Sequence, residues 1–551
     1  MTADNPSRIA IKRAAYALWI FVLLLFAGLH FWHLRADFPN HSPWEDWSKY
    51  TDEGWYGNAA VRAHLFGNWY LPGDFNPAPA VPLWPALEWL LFAVTGVHIE
   101  AARALAVAFF FLNLFLSYKL FRERGPRWVG LLVVTLLVTS PFLYSFSRLA
   151  ILEPLLMALT LTAINLAIRL PRYNHPDTVC ALIGLLFTAM LFTKTTAVFL
   201  LPALVWIIVL PNLGDWRKAL RLVVVAGGAA LLAFCSWMLL VVNADLFPDF
   251  KYLFFINTYD KPTTFGGRLM SVWWSFHGGL WADFVLIPLA GLLILAALIT
   301  RLRQPIRRKP SWRPVWQPNW TSGLWRDPLF SGSVLAVAGF IAFMAYQNHP
   351  QPRYYVVVAF FSFFVVVRIA AQLFYARHFY NDGSAHLRTR QAGYVILAIL
   401  VLTATGNGLW TLKYVLHPEY TWVTAAENLT RYVDQHPNGN RRLVSISGDE
   451  ITMITHLPSL CDDFGTLDLP DKLAQYQPGW FATWNDLDPG TLEDLHVHYS
   501  LEQVASFPAF DDPDRNLLVL FKLHPLAKPR TEFTPAMQDV MPEDKIDIDV
   551  E

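Results

Sequence analysis

Two adjacent carboxylates, Asp52 and Glu53, stand in the polar segment that follows the first long apolar stretch of the sequence. A carboxylate can take a proton from a hydroxyl group, so the pair is suited to general base chemistry. Tyr56 follows four residues after Asp52 and would share its face if a helix begins there. The alternative explanation is a solvated loop in which an Asp caps a helix. The pair alone does not separate these two explanations.

Other ionisable or polar residues stand at the ends of later apolar stretches, where such groups are costly unless they are paired or wet. They are Arg103, Arg148, Glu153, Lys194, His349, Arg353 and Tyr354. Each has a simple structural explanation: Arg148 could pair with Glu153, for example, and Lys194 could extend towards the membrane surface. Several cations gathered near two carboxylates nevertheless describe a site for an anion next to a base.

The composition places these residues in a membrane protein. Of 551 residues, 54% are hydrophobic and only 16% are charged, whereas a soluble protein carries about 25% charged residues. Several stretches reach the roughly 20 apolar residues that cross a bilayer. The net charge of zero gives no argument for nucleic acid, and the three cysteines show neither a disulfide framework nor zinc spacing.

Basic residues before and after the apolar stretches predict the topology. Those preceding the first stretch, about 16–33, indicate a retained span with a cytoplasmic N-terminus. Residues 81–96 are short and contain two prolines. If they crossed the membrane, the basic residues that follow 101–121 would be on the wrong side. We therefore expect 81–96 to be a re-entrant or surface helix.

About eleven transmembrane helices are predicted in total. Besides the two spans at 16–33 and 101–121, they are 128–143, 152–170, 178–192, 195–211, 221–243, 280–300, 328–346, 355–375 and 392–416. The basic loops 301–326 and 377–390 then face the cytoplasm, and the first loop, 35–80, lies outside.

The pattern changes after residue 416. We expect a transmembrane domain over 1–416, a small extracytoplasmic α/β domain over 417–527, and an acidic, disordered tail over 528–551. Within the small domain, the sequence predicts helices over 427–435 and 492–499, and strands over 442–447, 480–484 and 517–523.

An anion site beside a base at the membrane face suits glycosyl transfer from a lipid phosphate. The leaving phosphate needs fixed Arg or Lys partners, and the acceptor hydroxyl needs a carboxylate to take its proton. Because the donor's tail stays in lipid, the site must lie at the membrane face.

The ordered set of motifs resembles a known group, the GT-C membrane glycosyltransferases of the protein O-mannosyltransferase and aminoarabinose transferase superfamily. The motifs are Asp52-Glu53-x-x-Tyr56, the Pro-rich 76–83, Arg103 after Gly96, Ser147-Arg148 with Glu153-Pro154, Thr193-Lys194, and His349 with Arg353-Tyr354. The resemblance extends over about the first 360 residues and implies a polytopic, α-helical, GT-C-like fold with surface helices in the first outer loop.

The resemblance also implies roles for the residues. Asp52 would be the catalytic base and Glu53 its support. The cations Arg103, Arg148, Lys194 and Arg353 would hold the lipid phosphate, and Tyr56, Glu153, His349 and Tyr354 would complete the substrate site. One departure is Asn76-Pro77, where many relatives have a basic residue before proline.

We therefore expect an inverting hexosyl- or pentosyltransferase in the cytoplasmic membrane. Its partners would be a polyprenyl-phosphate sugar, membrane lipids, and an acceptor that is a glycan, a lipid or a protein. No cofactor is expected, although a divalent metal bridging Asp52 and the phosphate stays open. Two alternatives also stay open: a transporter or flippase of lipid-linked sugar, and a GT-C-like protein that binds the donor without turnover.

Overall fold

A computed structural model describes residues 6–257, 263–302, 320–375, 383–485, 489–512 and 515–528. The chain divides into two compact units. The first comprises Met1–Trp69 and Pro77–Glu419, and the second comprises Tyr70–Asn76 and Tyr420–Glu551. Residues 303–319 of the first predicted basic loop, residues 377–382 of the second, and the predicted disordered tail from residue 529 lie outside the described residues. Residues 383–390 of the second predicted loop belong instead to a helix, Gly383–Leu416.

Among the described residues, the first unit contains helices and connecting loops but no strand. Its α-helices are α1 (Pro6–Leu29), α2 (Asp52–Phe66), α3 (Leu83–Thr95), α4 (Ile99–Arg122), α5 (Arg127–Thr139), α6 (Pro141–Ser147), α7 (Glu153–Ile168), α8 (Pro176–Leu191), α9 (Leu201–Val209), α10 (Trp216–Asn243), α11 (Phe247–Lys251), α12 (Phe265–Ala282), α13 (Leu286–Leu302), α14 (Trp320–Trp325), α15 (Pro328–Gln347), α16 (Tyr355–Tyr375) and α17 (Gly383–Leu416).

The core of this unit is built around α16. The apolar window that α16 contributes is entirely buried, and its side chains pack against α5, α13, α15 and α17. A helix that is apolar on every side is satisfied only when neighbours surround it. The central position of α16 therefore follows from its run of Val and Phe residues, which has no polar face.

Seven helices among the described residues are long and apolar enough to cross a membrane. The bent pair α5 and α6, which meet at 67°, would make an eighth, and α3, α7, α8 and α13 are shorter apolar helices. The predicted eleven crossings included α7, α8 and α13, so that number stays a prediction. The 13 residues of α3 would extend about 20 Å, less than the roughly 30 Å of a hydrocarbon core.

Helix α2 begins at Asp52 and carries both acids in its first turn, which decides between the two explanations that the sequence left open. Negative charge there is favourable because the free N–H groups give this helix end a partial positive charge. The helix ends at Gly67, whose φ of 77° is left-handed and suits glycine because it has no Cβ. The acid pair is thus fixed at the rigid end of a helix.

Helices α8 and α10 approach each other closely at Gly184. A Cβ atom on this residue would lie 2.0 Å from the carbonyl oxygen of Ala226. One turn later, the Thr188 hydroxyl donates to the Ala230 carbonyl at 2.9 Å. Small residues and hydroxyl-to-carbonyl bonds are typical of helix packing in membrane proteins.

The second unit is an α/β domain. It contains α18 (Thr421–Gln435), β1 (Leu443–Val444), α19 (Gly448–Thr455), β2 (Ser459–Leu460), α20 (Leu469–Tyr476), β3 (Trp480–Trp484), α21 (Pro489–His498), β4 (Tyr499–Pro508) and β5 (Leu517–Pro525). The sheet order is β2-β1-β3-β5-β4. Strand β1 is parallel to β2 and β3, whereas β5 is antiparallel to β3 and β4.

The short segment Tyr70–Asn76 belongs to this second unit although it lies in the first loop of the sequence. Its Asp74 carboxylate accepts from the Cys461 N–H at 3.0 Å and lies 3.4 Å from the Lys472 ammonium. Lys472 is almost completely buried and also donates to the Cys461 and Phe464 carbonyls. A buried lysine needs such partners, so the segment is part of the domain's polar core.

The sequence patterns predicted some of these elements and missed others. The helix over 427–435 and the strands over 480–484 and 517–523 are confirmed. The helix predicted over 492–499 is confirmed up to His498, and Tyr499 begins a strand. The strand predicted over 442–447 is shorter, with only Leu443–Val444 paired. Strand β4 was missed because its half-exposed residues do not alternate cleanly. Helix α12 was also missed: most of it lies between the predicted spans 221–243 and 280–300.

Candidate active site

Asp52 is buried at the start of α2 beside Arg353. Its Oδ2 lies 3.2 Å from the Arg353 Nε, outside hydrogen-bond alignment. Its Oδ1 accepts a long bond of 3.3 Å from the Thr51 hydroxyl. Burial raises the pKa of Asp52, the Arg353 charge opposes this rise, and the Asp46 charge adds to it. A weakly bonded carboxylate whose proton affinity is raised can act as a base.

Arg353 is held by Asp46, a residue that the sequence analysis missed. Asp46 accepts from the Arg353 guanidinium and, at 2.8 Å, from the Arg353 backbone N–H. The same carboxylate accepts from the Ser48 N–H at 2.9 Å. The signal in the sequence was an acid in the Trp-rich loop, six residues before Asp52. Asp46 therefore fixes both the backbone and the side chain of Arg353.

A second ion pair joins this arrangement through Tyr354. The Lys194 ammonium donates to Glu153 and lies 4.7 Å from the centre of the Tyr354 ring. The Arg353 guanidinium carbon lies 5.1 Å from the same ring. Helix α7, which begins at Glu153, and the turn before α16 are thus brought together. We call Asp46, Asp52, Glu153, Lys194, Arg353 and Tyr354 the acid–base cluster.

Tyr56 and His349 border the acid–base cluster. Burial and the Asp52 charge raise the pKa of Tyr56 well above its usual value, so the phenol keeps its proton. Burial, with the charges of Arg353 and Lys194, lowers the pKa of His349 to about 3. His349 lies 5.4 Å from Tyr354 between ring centres. At neutral pH, His349 therefore supplies an uncharged imidazole to this region.

The charges of the acid–base cluster do not balance. It contains three carboxylates and two cations, so it carries one net negative charge when all are ionised. Low dielectric makes this excess charge costly, which agrees with the raised pKa of Asp52. Both cations keep donors to offer: the Arg353 Nε has no hydrogen-bond acceptor among the described residues, and an ammonium carries three hydrogens.

Glu53 and Arg103 form a separate, closed ion pair. The Arg103 Nε donates to Glu53 at 2.8 Å, and its Nη1 donates to the Leu34 and Ala36 carbonyls at 2.8 and 2.6 Å. Glu53 also accepts from the Ala150 N–H at 2.7 Å. Both side chains are almost fully buried. This pair joins α2, α4 and the turn before α7, which suits positioning better than phosphate binding.

Arg148 lies away from the acid–base cluster. It donates to the Tyr144 hydroxyl at 2.5 Å and to the Trp32 and His33 carbonyls at 2.8 and 2.5 Å. It does not pair with Glu153, whose partner is Lys194. The sequence could not distinguish Arg148 from Lys194, since both stand at the end of an apolar stretch.

An apolar groove of about 450 Å³ begins further along α2. Ala59 and Ala63 line it from α2, Trp89 from α3 and Trp237 from α10. The Trp237 Nε1 donates to the Pro79 carbonyl at 2.8 Å, which ties the Pro-rich segment to α10. The groove can accept an extended hydrocarbon chain.

One face of α2 connects the groove to the acid–base cluster. Asp52, Tyr56, Ala59 and Ala63 follow the i, i+4, i+7, i+11 spacing of a single helix face. With a rise of about 1.5 Å per residue, the distance along the axis from Asp52 to the groove is roughly 11–17 Å. Polar and apolar binding surfaces therefore lie in line on one rigid element.

No group of three or more His, Cys, Asp or Glu side chains in the described part of the chain is arranged to hold a metal ion. The acid–base cluster instead offers guanidinium and ammonium groups, whose chemistry suits an anion.

Comparison with known protein families gives a match to the family described as dolichyl-phosphate-mannose-protein mannosyltransferase, over residues 77–239. The matched region runs from the Pro-rich segment to α10 and includes Arg103, Glu153 and Lys194. No curated protein matches the sequence.

Solved structures match nearly the whole chain. ArnT from Cupriavidus metallidurans bound to undecaprenyl phosphate is 14% identical, with a TM-score of 0.58 over 92% of this chain and 98% of that one. Its apo form gives 13% identity and a TM-score of 0.56 with the same coverage. The oligosaccharyltransferase of Archaeoglobus fulgidus, at 11% identity, covers 90% of this chain and 72% of its own, with a TM-score of 0.48.

Proposed function

We propose that this chain, a multi-pass membrane protein whose fold is that of the GT-C glycosyltransferases, transfers a sugar from a polyprenyl-phosphate donor to an acceptor hydroxyl. The observation that carries the proposal is the single face of α2, which runs from the acid–base cluster to the apolar groove. A substrate with an anionic head and a long hydrocarbon tail matches both ends of that face. The undecaprenyl phosphate of ArnT is such a molecule.

In this proposal the donor's tail occupies the apolar groove and its phosphate reaches Arg353 and Lys194. Each cation already has a carboxylate partner, Asp46 or Glu153. The phosphate therefore uses the remaining N–H groups of the two cations. Fixed donors aimed at the phosphate stabilise the charge that develops as it leaves.

Asp52 acts as the base. It takes the proton of the acceptor hydroxyl while the oxygen's electron pair forms a bond to the anomeric carbon. The bond from that carbon to the phosphate oxygen breaks, and its electron pair leaves with the prenyl phosphate. Attack on the face opposite to the leaving group inverts the configuration of the sugar. No metal takes part, because Arg353 and Lys194 supply the positive charge.

The test is sugar transfer by the purified full-length chain in lipid nanodiscs. Radiolabelled mannosyl, glucosyl, galactosyl and arabinosyl prenyl phosphates are supplied with a cell-envelope extract as acceptor, with and without EDTA. We expect one donor to give a labelled product, at a rate that EDTA does not change. The isosteric Asp52→Asn variant, which lacks the base, is expected to lose about 100- to 10,000-fold in rate.

Asp215→Asn is the matched control. Asp215 caps α10 by accepting from the Lys218 N–H, and asparagine caps equally well. This variant should keep wild-type activity. Transfer at the wild-type rate by Asp52→Asn would contradict the role of the base. Movement of labelled donor across sealed liposomes without any transfer product would contradict the enzymatic function itself.

A further inference from the structure

A second, polar pocket lies between the loop 36–41 and the C-terminal end of α17, within the first unit. Its cavity volume is about 120 Å³, well above the roughly 10–15 Å³ that one water needs. We call it the α17 pocket. None of the acid–base cluster residues lines it, and the proposed transfer mechanism leaves it without a role.

Two polar atoms of residues lining the pocket lack a hydrogen-bond partner among the described residues. They are the Asn40 Oδ1 and the Tyr414 Oη, and both are buried. The Asn40 Nδ2 donates to the Glu419 carboxylate. Because a carboxylate only accepts, this bond fixes the amide orientation and leaves Oδ1 as an open acceptor. The Trp410 indole N–H, one turn before Tyr414, approaches this hydroxyl but misses hydrogen-bond alignment.

Buried polar atoms are nearly always satisfied, and leaving one unpaired is costly. The open acceptor of Asn40 and the hydroxyl of Tyr414 therefore indicate a ligand that offers both donors and acceptors. His41, beside Asn40 and also lining the pocket, has a φ of 54°. Such strained, non-glycine backbone gathers at functional sites.

The charges around the pocket balance. Arg148 and Lys413 contribute two cations, and Asp37 and Glu419 contribute two anions. With these side-chain charges balanced, the pocket has no net attraction for an anion or a cation. A neutral molecule with several hydroxyl groups, each able to donate and accept, fits this lining better.

The pocket is connected to the proposed base through one side chain. Ala36 lines the pocket, and its carbonyl accepts from the Arg103 Nη1 at 2.6 Å. The same guanidinium binds Glu53, the neighbour of Asp52. A molecule in the pocket would therefore lie at the same end of the first unit as the base.

We infer that the α17 pocket is a binding site for a neutral, hydroxyl-rich ligand of the sugar class. This ligand is a sugar unit of the acceptor, an identification that rests on the proposed function. Tyr414 and Asn40 are its specificity-determining contacts, because they present the open hydroxyl and amide oxygens.

The test is binding of neutral methyl glycosides to the purified full-length chain without donor, measured by saturation-transfer NMR and titration calorimetry. Methyl mannoside, glucoside, galactoside and arabinoside are compared with sugar phosphates and methyl uronates. We expect at least one neutral glycoside to bind more tightly than its charged counterparts. Tyr414→Phe, which keeps the ring, should weaken this binding about 2- to 12-fold, the factor for one neutral hydrogen bond.

Tyr394→Phe is the matched control, because Tyr394 is an exposed tyrosine of the same helix that does not line the pocket. It should bind like the wild type, and both variants should keep the wild-type melting temperature. Absence of glycoside binding, preference for charged sugars, or equal binding by Tyr414→Phe and the wild type would overturn the inference.

The same measurements separate the two proposals. If Asp52→Asn binds the glycoside normally and no donor gives a product with the wild type, the proposed function is wrong, whereas the inference that the α17 pocket binds a neutral sugar is retained. If transfer proceeds but Tyr414→Phe changes neither glycoside binding nor the KM for the acceptor, the pocket inference fails alone.

Discussion

At the scale of single residues, Asp52 and Asp46 divide two tasks within a few ångströms of Arg353. Asp46 makes the strong bonds to this arginine, through its side chain and its backbone. Asp52 makes only an off-axis contact and a long bond from Thr51. In the proposed function, Asp46 is thus a positioning residue that leaves Asp52 able to take a proton.

Asp46→Asn is expected to shift the pH dependence of transfer. Asp52 must be ionised to act, so kcat/KM falls as the pH drops through its raised pKa. The Asp46 charge contributes to that rise, and removing it lowers the pKa of Asp52. The acidic limb of the kcat/KM profile should therefore move to lower pH. Activity measured from pH 4.5 to 9 checks this.

Glu45→Gln is the control for this experiment, since Glu45 is the adjacent but exposed acid. Its acidic limb should coincide with that of the wild type. An unchanged limb in Asp46→Asn, or a move to higher pH, would contradict the arrangement of charges described for the acid–base cluster.

The sequence predicted the type of chemistry at the site better than it predicted which residues form the site. Asp52, Lys194 and Arg353 were expected together, and the structure brings them together around Tyr354. Asp46 could not be singled out, because Glu45 precedes it directly and is an acid at nearly the same distance in sequence from Asp52. Arg148 could not be excluded, because its carbonyl partners are set by tertiary packing.

At the scale of elements, α2 and the helix pair α8 and α10 show how local sequence sets geometry. The first turn of α2 was predictable, because acids favour a helix N-terminus. The close approach of α8 and α10 was not, because a lone glycine in an apolar helix does not reveal which carbonyl faces it. That contact depends on Gly184.

Gly184→Ala is expected to destabilise the protein by about 1–3 kcal/mol, as overpacking does. The new Cβ would meet the Ala226 carbonyl oxygen at 2.0 Å, so the two helices must separate. Gly227→Ala, on α10, meets nothing within 4 Å and should be neutral or stabilising by up to about 1 kcal/mol. Thermal unfolding in detergent compares the two variants. Equal melting temperatures would show that the helices accommodate the methyl group.

At the scale of the whole molecule, the GT-C fold inferred from an ordered set of short motifs is confirmed by the match to ArnT over nearly the full chain. Its helical membrane character was predictable because several apolar stretches of the sequence are long enough to cross a bilayer. The predicted domain boundary at residue 416 missed one feature of the domain organisation that the hydropathy pattern does not reveal. Seven residues of the first loop belong to the C-terminal unit.

The second unit should be less stable above neutral pH because of Asp462. Burial, followed by the Asp463 charge, raises the pKa of Asp462 to about 7 from 3.8. Between these values, the folded state keeps a proton that the unfolded state has lost, so stability falls as the pH rises. Asp462→Asn should therefore raise the unfolding free energy by about 1–4 kcal/mol at pH 8 and change it little at pH 4.

Tryptophan fluorescence during thermal unfolding of the full-length chain measures this effect, because Trp422, Trp480 and Trp484 are buried in the second unit. Asp471→Asn, at an exposed position of α20, serves as the control and should show no such pH dependence. A gain for Asp462→Asn that is the same at pH 4 and pH 8 would argue against titration of Asp462 as its cause.

The place of Asp74 in the second unit has a consequence for biosynthesis. Ribosomes add roughly 5–20 residues per second, so residues 70–76 emerge tens of seconds before Lys472 is translated. During that interval the early segment waits without its partner, while the intervening helices are inserted. A fragment starting at Tyr420 would carry the buried ammonium of Lys472 without its carboxylate. Producing this domain separately therefore requires grafting residues 70–76 onto it.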